Sequence, residues 1–249
     1  MATNPATTPC VQPNDIQAVV VGNPVDMDYY WTMTEVRISP DSLPPWGATL
    51  GPALAMLLTR SVAMGVLTGK PVTRLDAIVV KRLVTALQRH GIGANAGIIL
   101  GPLAVEPATQ LDDATQQRVA DGLSRLSEAL EASATPQTEW PAMRGVFGDE
   151  FLVELLGIAA SSMRRYASSE RATPDEVGAR LHWLAMVVAD LAGAYNDFGI
   201  RRWFARPRTQ LEGRSPLQTL GAGWKPDDAA AERVRALAAA LVGAQPLAA

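Results

Sequence analysis

The longest helical pattern in the chain is TPDEVGARLHWLAMVVADLAGAYNDF, residues 173–198. Thr173 and Glu176 have the spacing of a capping box, and Pro174 occupies the first helical position. Behind this start, apolar residues recur at alternating four- and three-residue spacing. They are Val177, Leu181, Leu184, Val188, Leu191, Tyr195 and Phe198. The pattern predicts one long helix, and it fits burial inside one subunit as well as burial in a dimer seam.

Immediately upstream, a second pattern has the sequence GDEFLVELLGIAASSMRRYASS, residues 148–169. A short apolar helix ends at Gly157, where the chain turns, and Met163 and Tyr166 have the spacing to pack inward from the next helix. This arrangement predicts a helix-turn-helix unit. Its outward face carries the candidate DNA-binding residues Ser161, Ser162, Arg164 and Arg165. Such a unit either contacts DNA or serves only as a packing or dimerisation module.

A segment rich in arginine and aromatic residues follows the long helix. Its sequence is GIRRWFARPRTQLEGRSPLQTLGAGWKP, residues 199–226. Five arginines stand here against Glu212 alone: Arg201, Arg202, Arg206, Arg208 and Arg214. Trp203 and Phe204 lie among them, and arginine beside tryptophan is a composition typical of protein interfaces. We expect an exposed docking face. The alternative is that Trp203, Phe204, Leu211 and Leu217 fill the core while the arginines are merely solvated.

This segment resembles the toxin-binding domain of the Xre/MbcA/ParS family of antitoxins. The family pattern is a tryptophan, a proline, a leucine, glycine-arginine, proline-leucine and a final leucine. Here it is matched in order by Trp203, Pro207, Leu211, Gly213, Arg214, Pro216, Leu217 and Leu220. In that family the domain follows an Xre-like helix-turn-helix, and the resemblance covers roughly residues 148–243.

The resemblance implies a bacterial antitoxin that binds a RES-domain toxin, an enzyme that consumes NAD, and masks its active site. The implied toxin-binding residues are Arg201, Arg202, Trp203, Phe204, Pro207, Leu211, Gly213, Arg214, Pro216, Leu217 and Leu220. As a dimer, such a protein is expected to repress its own promoter by binding operator DNA. The alternatives are a DNA-binding transcription regulator without a toxin partner, or an adaptor that uses its N-terminal half.

The sequence predicts a mainly α-helical bundle with a helix-turn-helix unit and a small N-terminal β-hairpin or arm. Four regions are expected. Residues 1–15 form a loose tail, and residues 16–140 a mostly helical domain of unknown role with no counterpart in a minimal antitoxin. Residues 141–172 form the helix-turn-helix unit, and residues 173–249 the toxin-binding domain. The boundary is placed in the polar, proline-bearing stretch 133–142.

Within the N-terminal half, residues 16–22 and 34–39 have the β-branched content of short strands, and Tyr29, Tyr30 and Trp31 lie between them. Helices are predicted from Pro52, from an N-cap at Thr73 to Gly91, and over residues 113–132. Gly91, Gly93 and Gly97 close a helix and lead into a stretch predicted to be extended, residues 98–103. They are therefore expected to be a connector and not a phosphate-binding loop.

Composition narrows the function classes further. The chain has 249 residues, 48% of them hydrophobic, and a net charge of −3, which excludes a wholly disordered protein and a bulk polycation. Cys10 is the single cysteine, so neither an intramolecular disulfide nor a thiolate metal cage is available. We expect a soluble, cytoplasmic homo-oligomer without cofactor, metal or catalytic motif. His182 is expected at a surface or interface, and His90 at a helix C-terminus.

Overall fold

One helix, Asp175–Ala192, lies at the centre of the fold and is buried along most of its length in the computed structural model, which describes residues 36–39 and 43–243. Every residue from 181 to 190 is buried, including the polar His182 and Asp190. A helix that is apolar on all sides belongs in a core. The apolar stripe of this helix, α8, is therefore packed within the chain itself and is not a seam between two subunits.

Three helices make the most extensive contacts with α8: α1, Gly47–Ala63, α5, Pro136–Phe147, and α11, Ala229–Gly243. Helix α4, Asp113–Glu131, packs against α1. Two smaller elements, α2, Ala77–Arg89, and α3, Ala96–Leu100, adjoin α1 and α4, and a single 3-10 turn, Gly101–Leu103, follows α3. The result is a helical bundle built around α8.

The remaining helices belong to the C-terminal half. They are α6, Asp149–Leu156, α7, Ala160–Ala167, α9, Asp197–Ala205, and α10, Pro216–Leu220. A 3-10 turn, Thr209–Leu211, joins α9 to α10. The mainly helical fold predicted from the sequence is confirmed for the described residues. These belong to one compact unit that spans residues 31–249.

Several predicted elements in the N-terminal half need correction. Helix α1 begins at Gly47, so Pro52 lies inside it and not at its start. Asp76 caps α2 by accepting a hydrogen bond from the Val79 N–H, at 2.9 Å, and Thr73 does not. The stretch 98–103 is helical and not extended. This stretch is so short that its run of apolar residues is compatible with a strand and with a helix.

The hairpin prediction lies mostly outside the described residues, as do the tail 1–15, the strand at 16–22 and the three aromatic residues at 29–31. Of the predicted strand 34–39, residues 36–39 are described. They make one isolated parallel bridge, between Val36 and Val72.

The stretch 133–142 is not a linker between domains. Most of it forms the first half of α5, which begins with Pro136. Trp140 is 1% exposed and Glu139 is completely buried. The polar and proline-rich composition reflects a helix start, where proline is well tolerated at the first position. The N-terminal helices and the C-terminal segment therefore share one core.

The long helix predicted up to Phe198 ends at Ala192. The chain then bends by 113° into α9, and Asn196 caps the new helix by accepting a 2.9 Å hydrogen bond from the Gly199 N–H. Phe198 is consequently 63% exposed. At the other end of α8, Thr173 does not act as a cap. Its hydroxyl accepts a hydrogen bond from the Trp140 indole N–H, at 2.9 Å.

No single helix among the described residues has the length and apolar character needed to cross a membrane, and α8 and α9 reach that length only when they are taken together across their bend.

A buried ion pair joins α8 to α5 and to the end of α4. His182 Nδ1 lies 2.6 Å from the carboxylate Oε1 of Glu139, and its Nε2 lies 2.9 Å from the backbone carbonyl of Glu131. With Glu139 ionised, both partners are acceptors, and the doubly protonated imidazolium is the form of His182 that donates to both. The expectation that His182 lies at a surface was wrong, since its residue is 9% exposed.

Other charged groups surround this pair. The Glu131 carboxylate binds Arg60 of α1 at 2.9 Å and Arg235 of α11 at 2.8 Å. Burial raises the pKa of the Asp190 carboxyl, against the opposing charges of Arg60 and Arg235. The network therefore brings together charges from α1, α4, α5, α8 and α11, the helices that form the core.

The protonation state of His182 follows from two opposing effects. Burial alone would lower its pKa, but the hydrogen bond and charge of Glu139, with the bond to the Glu131 carbonyl, raise the pKa above the ordinary value of 6.5. The folded chain therefore binds this proton more tightly than the unfolded chain does. The resulting stabilisation is complete below the unfolded pKa and is lost as the pH rises through the folded pKa.

We predict that His182→Ala lowers the free energy of unfolding by about 3–5 kcal/mol near neutral pH, because it leaves the Glu139 carboxylate buried without its counter-charge. The variant should also lack the decline in stability that we expect of the native chain as the pH rises above about 6.5. Urea unfolding across this pH range measures both effects. The control is His90→Ala, because His90 is the C-cap residue of α2 and is only half-buried. An unchanged pH profile in His182→Ala would contradict the assignment.

Candidate functional site

Helices α6 and α7 lie where the sequence predicts a helix-turn-helix unit, between residues 148 and 169. Gly157 ends α6 in the left-handed conformation, with φ 63° and ψ 39°, where its lack of a Cβ avoids a steric penalty. Met163 and Tyr166 of α7 are 1% and 8% exposed, so both pack inward as predicted. Ile158 packs partly buried against the core. The local pattern of helix, glycine turn and helix is therefore present.

The outward side of α7 carries the residues proposed to contact DNA. Ser161, Arg164 and Arg165 are exposed, and Ser162 is half-buried. Hydroxyl and guanidinium groups on one helix face are suited to phosphate oxygens and to base edges.

The position of α6 depends on a tryptophan that the sequence did not single out. The indole N–H of Trp224, in the connection between α10 and α11, donates a 2.8 Å hydrogen bond to the carbonyl of Leu155. Its ring meets Trp183 of α8 edge to face, with centroids 4.7 Å apart. A buried tryptophan in a Gly-rich loop is the signal that could have indicated such an anchor. Trp224 thus fixes α6 to the central helix.

An ion pair defines the charge at the start of α6. Arg144, near the end of α5, binds the Asp149 carboxylate through two nitrogens, at 2.7 and 2.9 Å. This hydrogen bonding lowers the pKa of Asp149, and the charge of Arg164 lowers it further. The field of Arg164 therefore reaches from α7 to the first turn of α6, although Asp149 offsets part of the local positive charge.

Most of the apolar members of the predicted docking face are buried. Trp203, Phe204, Leu211 and Leu220 are 1%, 0%, 2% and 6% exposed, and Pro216 is also buried. Phe204 meets Phe147 of α5 edge to face at 5.4 Å between centroids. The expectation that Trp203 and Phe204 are offered to a partner was wrong. The amphipathic pattern of α9 is satisfied by the chain's own core, because α9 packs on α5 and α8.

The residues that carry the antitoxin resemblance have structural roles in this chain. Trp203, Leu211 and Leu220 fill the core, and Pro207 follows the end of α9, where the preceding Arg206 has an extended backbone. Gly213 has φ 78° and permits the turn before α10. Pro216 takes the first position of α10, behind a capping box formed by Ser215 and Gln218. The matched pattern is therefore one that determines the local fold.

The residues of this segment that remain exposed to solvent are mainly polar. Arg202, Arg206, Pro207, Gly213 and Arg214 are exposed, and Arg201 and Leu217 are half-buried. Arg201 is held in place, since its guanidinium donates to the carbonyl of Val146 at the end of α5. Arg214 lies 3.6 Å from the Glu212 carboxylate, a surface pair of small energetic value. The exposed part of the segment is thus a cationic rim over an aromatic core.

Arg208 is placed between the core and this rim. Its guanidinium lies over the Trp203 ring, 5.3 Å from the centroid, which is within the range of a cation–π contact. Its Nε is buried and has no hydrogen-bond partner among the residues that the structure describes. Stacking on Trp203 therefore holds the Arg208 side chain against the aromatic core.

Among the residues that the structure describes, no group of three or more His, Cys, Asp or Glu side chains is arranged to hold a metal ion. Compared with known protein families, with curated proteins and with solved structures, the chain shows no match.

We predict that Trp203→Ala lowers the free energy of unfolding by about 3–5 kcal/mol, because it removes a fully buried indole from the core. Arg202→Ala, one residue earlier and exposed, should change it by less than about 0.5 kcal/mol. Chemical denaturation of the isolated chain measures both. A Trp203→Ala variant as stable as the native chain would show that this side chain is not part of the core.

Proposed function

We propose that the chain is an antitoxin-like protein that binds a RES-domain toxin through the outside of its C-terminal segment and represses its own promoter through α7. The observation that carries the proposal is the ordered match of the antitoxin pattern to the residues that build this segment, from Trp203 to Leu220. Because these residues determine the local fold, the match supports a shared domain architecture more directly than a shared contact surface.

The burial of Trp203 and Phe204 changes the expected binding surface. A partner would meet Arg202, Arg206 and Arg214, which remain outside, and not the aromatic rings beneath them. A cationic rim of this kind favours a partner with an acidic surface, since charge complementarity speeds association and selects partners. The half-buried Leu217 supplies apolar contact beside the arginines.

Neutralisation by this route is steric. A toxin whose NAD cleft is covered by the docked segment cannot admit its substrate, so the bound chain needs no catalytic group of its own. The central helix and its ion network give the segment a rigid support. Rigid presentation lowers the entropic cost of association and so favours a tight complex.

We predict that the tagged full-length chain forms a stoichiometric complex when it is co-expressed with a RES-domain protein encoded beside it. The double charge reversal Arg202→Glu with Arg214→Glu should weaken this complex by about tenfold or more, because like charges would then face the acidic partner. The matched control is Arg118→Glu with Arg125→Glu, on the exposed side of α4. Failure to form a complex, or equal binding by both double variants, would contradict this function.

A second candidate function is a DNA-binding regulator without a toxin partner. The observation that favours it is the outward face of α7, where Ser161, Arg164 and Arg165 are exposed while Met163 and Tyr166 anchor the helix. In this function α7 enters the major groove, and its arginines bind phosphates or base edges.

We predict that Arg164→Ala with Arg165→Ala weakens binding to a duplex spanning the chain's own promoter. The slope of log affinity against log salt should become shallower by about 2, one unit for each lost phosphate contact. Fluorescence anisotropy at several salt concentrations provides the measurement. Arg118→Ala with Arg125→Ala is the matched control. If the α7 double variant keeps native affinity, α7 is not the recognition helix.

A further inference from the structure

One arginine of the central helix is buried without an ion pair. Arg180 is 8% exposed, and its Nε donates a 3.2 Å hydrogen bond to the carbonyl of Glu176, one turn earlier in α8. No carboxylate among the described residues lies within ion-pair distance of its guanidinium. Arginine is almost never buried to this extent unless it is paired, because removing a cation from water is costly. Neither of the proposed functions uses Arg180.

The guanidinium reaches the turn between α6 and α7. A Cβ added at Gly157 would lie 3.8 Å from Nη1 of Arg180 and 3.5 Å from the backbone nitrogen of Gly223. The Gly223 N–H makes no hydrogen bond with a described residue. Two donors therefore flank one position beside Gly157, where this residue has no side chain. Gly157 and Gly223 are both exposed, so the position is open to solvent.

Both segments that flank this position are held in place. Two backbone hydrogen bonds, at 3.2 and 3.3 Å, close the turn at Gly157. On the other side, Gly223 directly precedes Trp224, which is anchored to Leu155 and Trp183. Donors that are already fixed lower the entropic cost of binding a ligand.

The same turn leads into the start of α7, which has no cap. Ala159 occupies the N-cap position and provides no side-chain hydrogen bond, and the first turn of α7 contains no acidic residue. The N–H groups of Ala160, Ser161 and Ser162 make no hydrogen bond with a described residue. Free N–H groups and the helix dipole give this end of α7 a positive potential.

We propose that Arg180 and the Gly223 N–H form a binding site for a phosphate group beside Gly157. Oxygens of the phosphate accept hydrogen bonds from both donors, and the positive start of α7 favours the same charge. A phosphate suits this arrangement better than a planar carboxylate, because its oxygens point in several directions and the donors belong to separate segments. The phosphate supplies the counter-charge that Arg180 lacks, and it links the turn before α7 to α8 and to the loop before α11.

The phosphate group can belong to a small molecule or to a DNA backbone. The DNA source rests on the second proposed function, in which α7 brings a duplex to this turn, and the small-molecule source does not. Two measurements distinguish the sources.

The first measurement is thermal unfolding of the full-length chain with added inorganic phosphate, at constant ionic strength in a phosphate-free buffer. We expect saturable stabilisation with a Kd below about 10 mM if the source is a small molecule. Amide NMR shifts should then change most at Gly157, at Gly223 and in the first turn of α7. Arg180→Met, which keeps the length of the side chain and removes its charge, should abolish the stabilisation.

Two further variants make this result specific. Arg180→Met should remain folded without phosphate, because an apolar side chain of similar size often replaces a buried charge without loss of stability. Arg180→Lys keeps the charge but loses the planar fork, and it should weaken phosphate binding by about tenfold. Arg125→Met, on the exposed side of α4, is the charge-matched control and should respond to phosphate as the native chain does.

The second measurement is fluorescence anisotropy with the promoter duplex. If the phosphate belongs to DNA, Arg180→Met should make the slope of log affinity against log salt shallower by about 1, the value for one lost phosphate contact. A native chain without DNA affinity would contradict the DNA-binding function alone, and the phosphate titration would then decide. The proposal fails if inorganic phosphate affects the native and Arg180→Met chains equally, or neither, and the salt slope of Arg180→Met shows no decrease.

Discussion

The ion pair between His182 and Glu139 is the interaction on which the arrangement of the helices depends. It joins the central helix α8 to α5, while the second ring nitrogen of His182 binds the end of α4. Removing one member of such a pair is costly, because the other charge stays in the core without compensation. Glu139 illustrates the cost directly: it is completely buried, and its second oxygen has no hydrogen-bond partner among the described residues. We therefore expect the pair to favour this packing of α4, α5 and α8 over alternatives that would separate the two charges.

This packing determines how the candidate sites are supported. Helix α5 contacts α7, α8 and α9, so it connects the proposed DNA-binding helix with the proposed toxin-binding segment. Arg201 reaches from α9 to the end of α5, and Trp224 binds α6 through the Leu155 carbonyl. Both proposed functions consequently rest on one compact unit, and a mutation in the shared core is expected to affect them together. Only exposed residues, such as Arg164 or Arg202, are suited to separating one activity from the other.

Much of the fold was predictable because it depends on local periodicity. The spacing of Val119, Leu123 and Leu126 indicated α4 nearly to the residue, and Gly157 with its flanking apolar positions indicated the turn between α6 and α7. What could not be predicted depends on contacts between distant residues. The stripe that ends at Phe198 continues in sequence but not in space, because the chain bends after Ala192. Trp203 has the same amphipathic signature whether it meets a partner or the chain's own core, so the sequence left both outcomes open and burial decided between them. His182 appeared isolated because its partners lie 43 and 51 residues away.

Because α8 packs against the N-terminal half, we do not expect the protein to divide into independently folding N- and C-terminal fragments. A fragment beginning near residue 141 would contain every residue of the antitoxin pattern, yet it would lack Glu139, the Glu131 carbonyl and the whole of α1. One side of α8 would then face water, with the His182 imidazole deprived of both acceptors. We therefore do not expect the C-terminal segment to fold when it is excised or grafted alone. The N-terminal helices are part of the same folding unit.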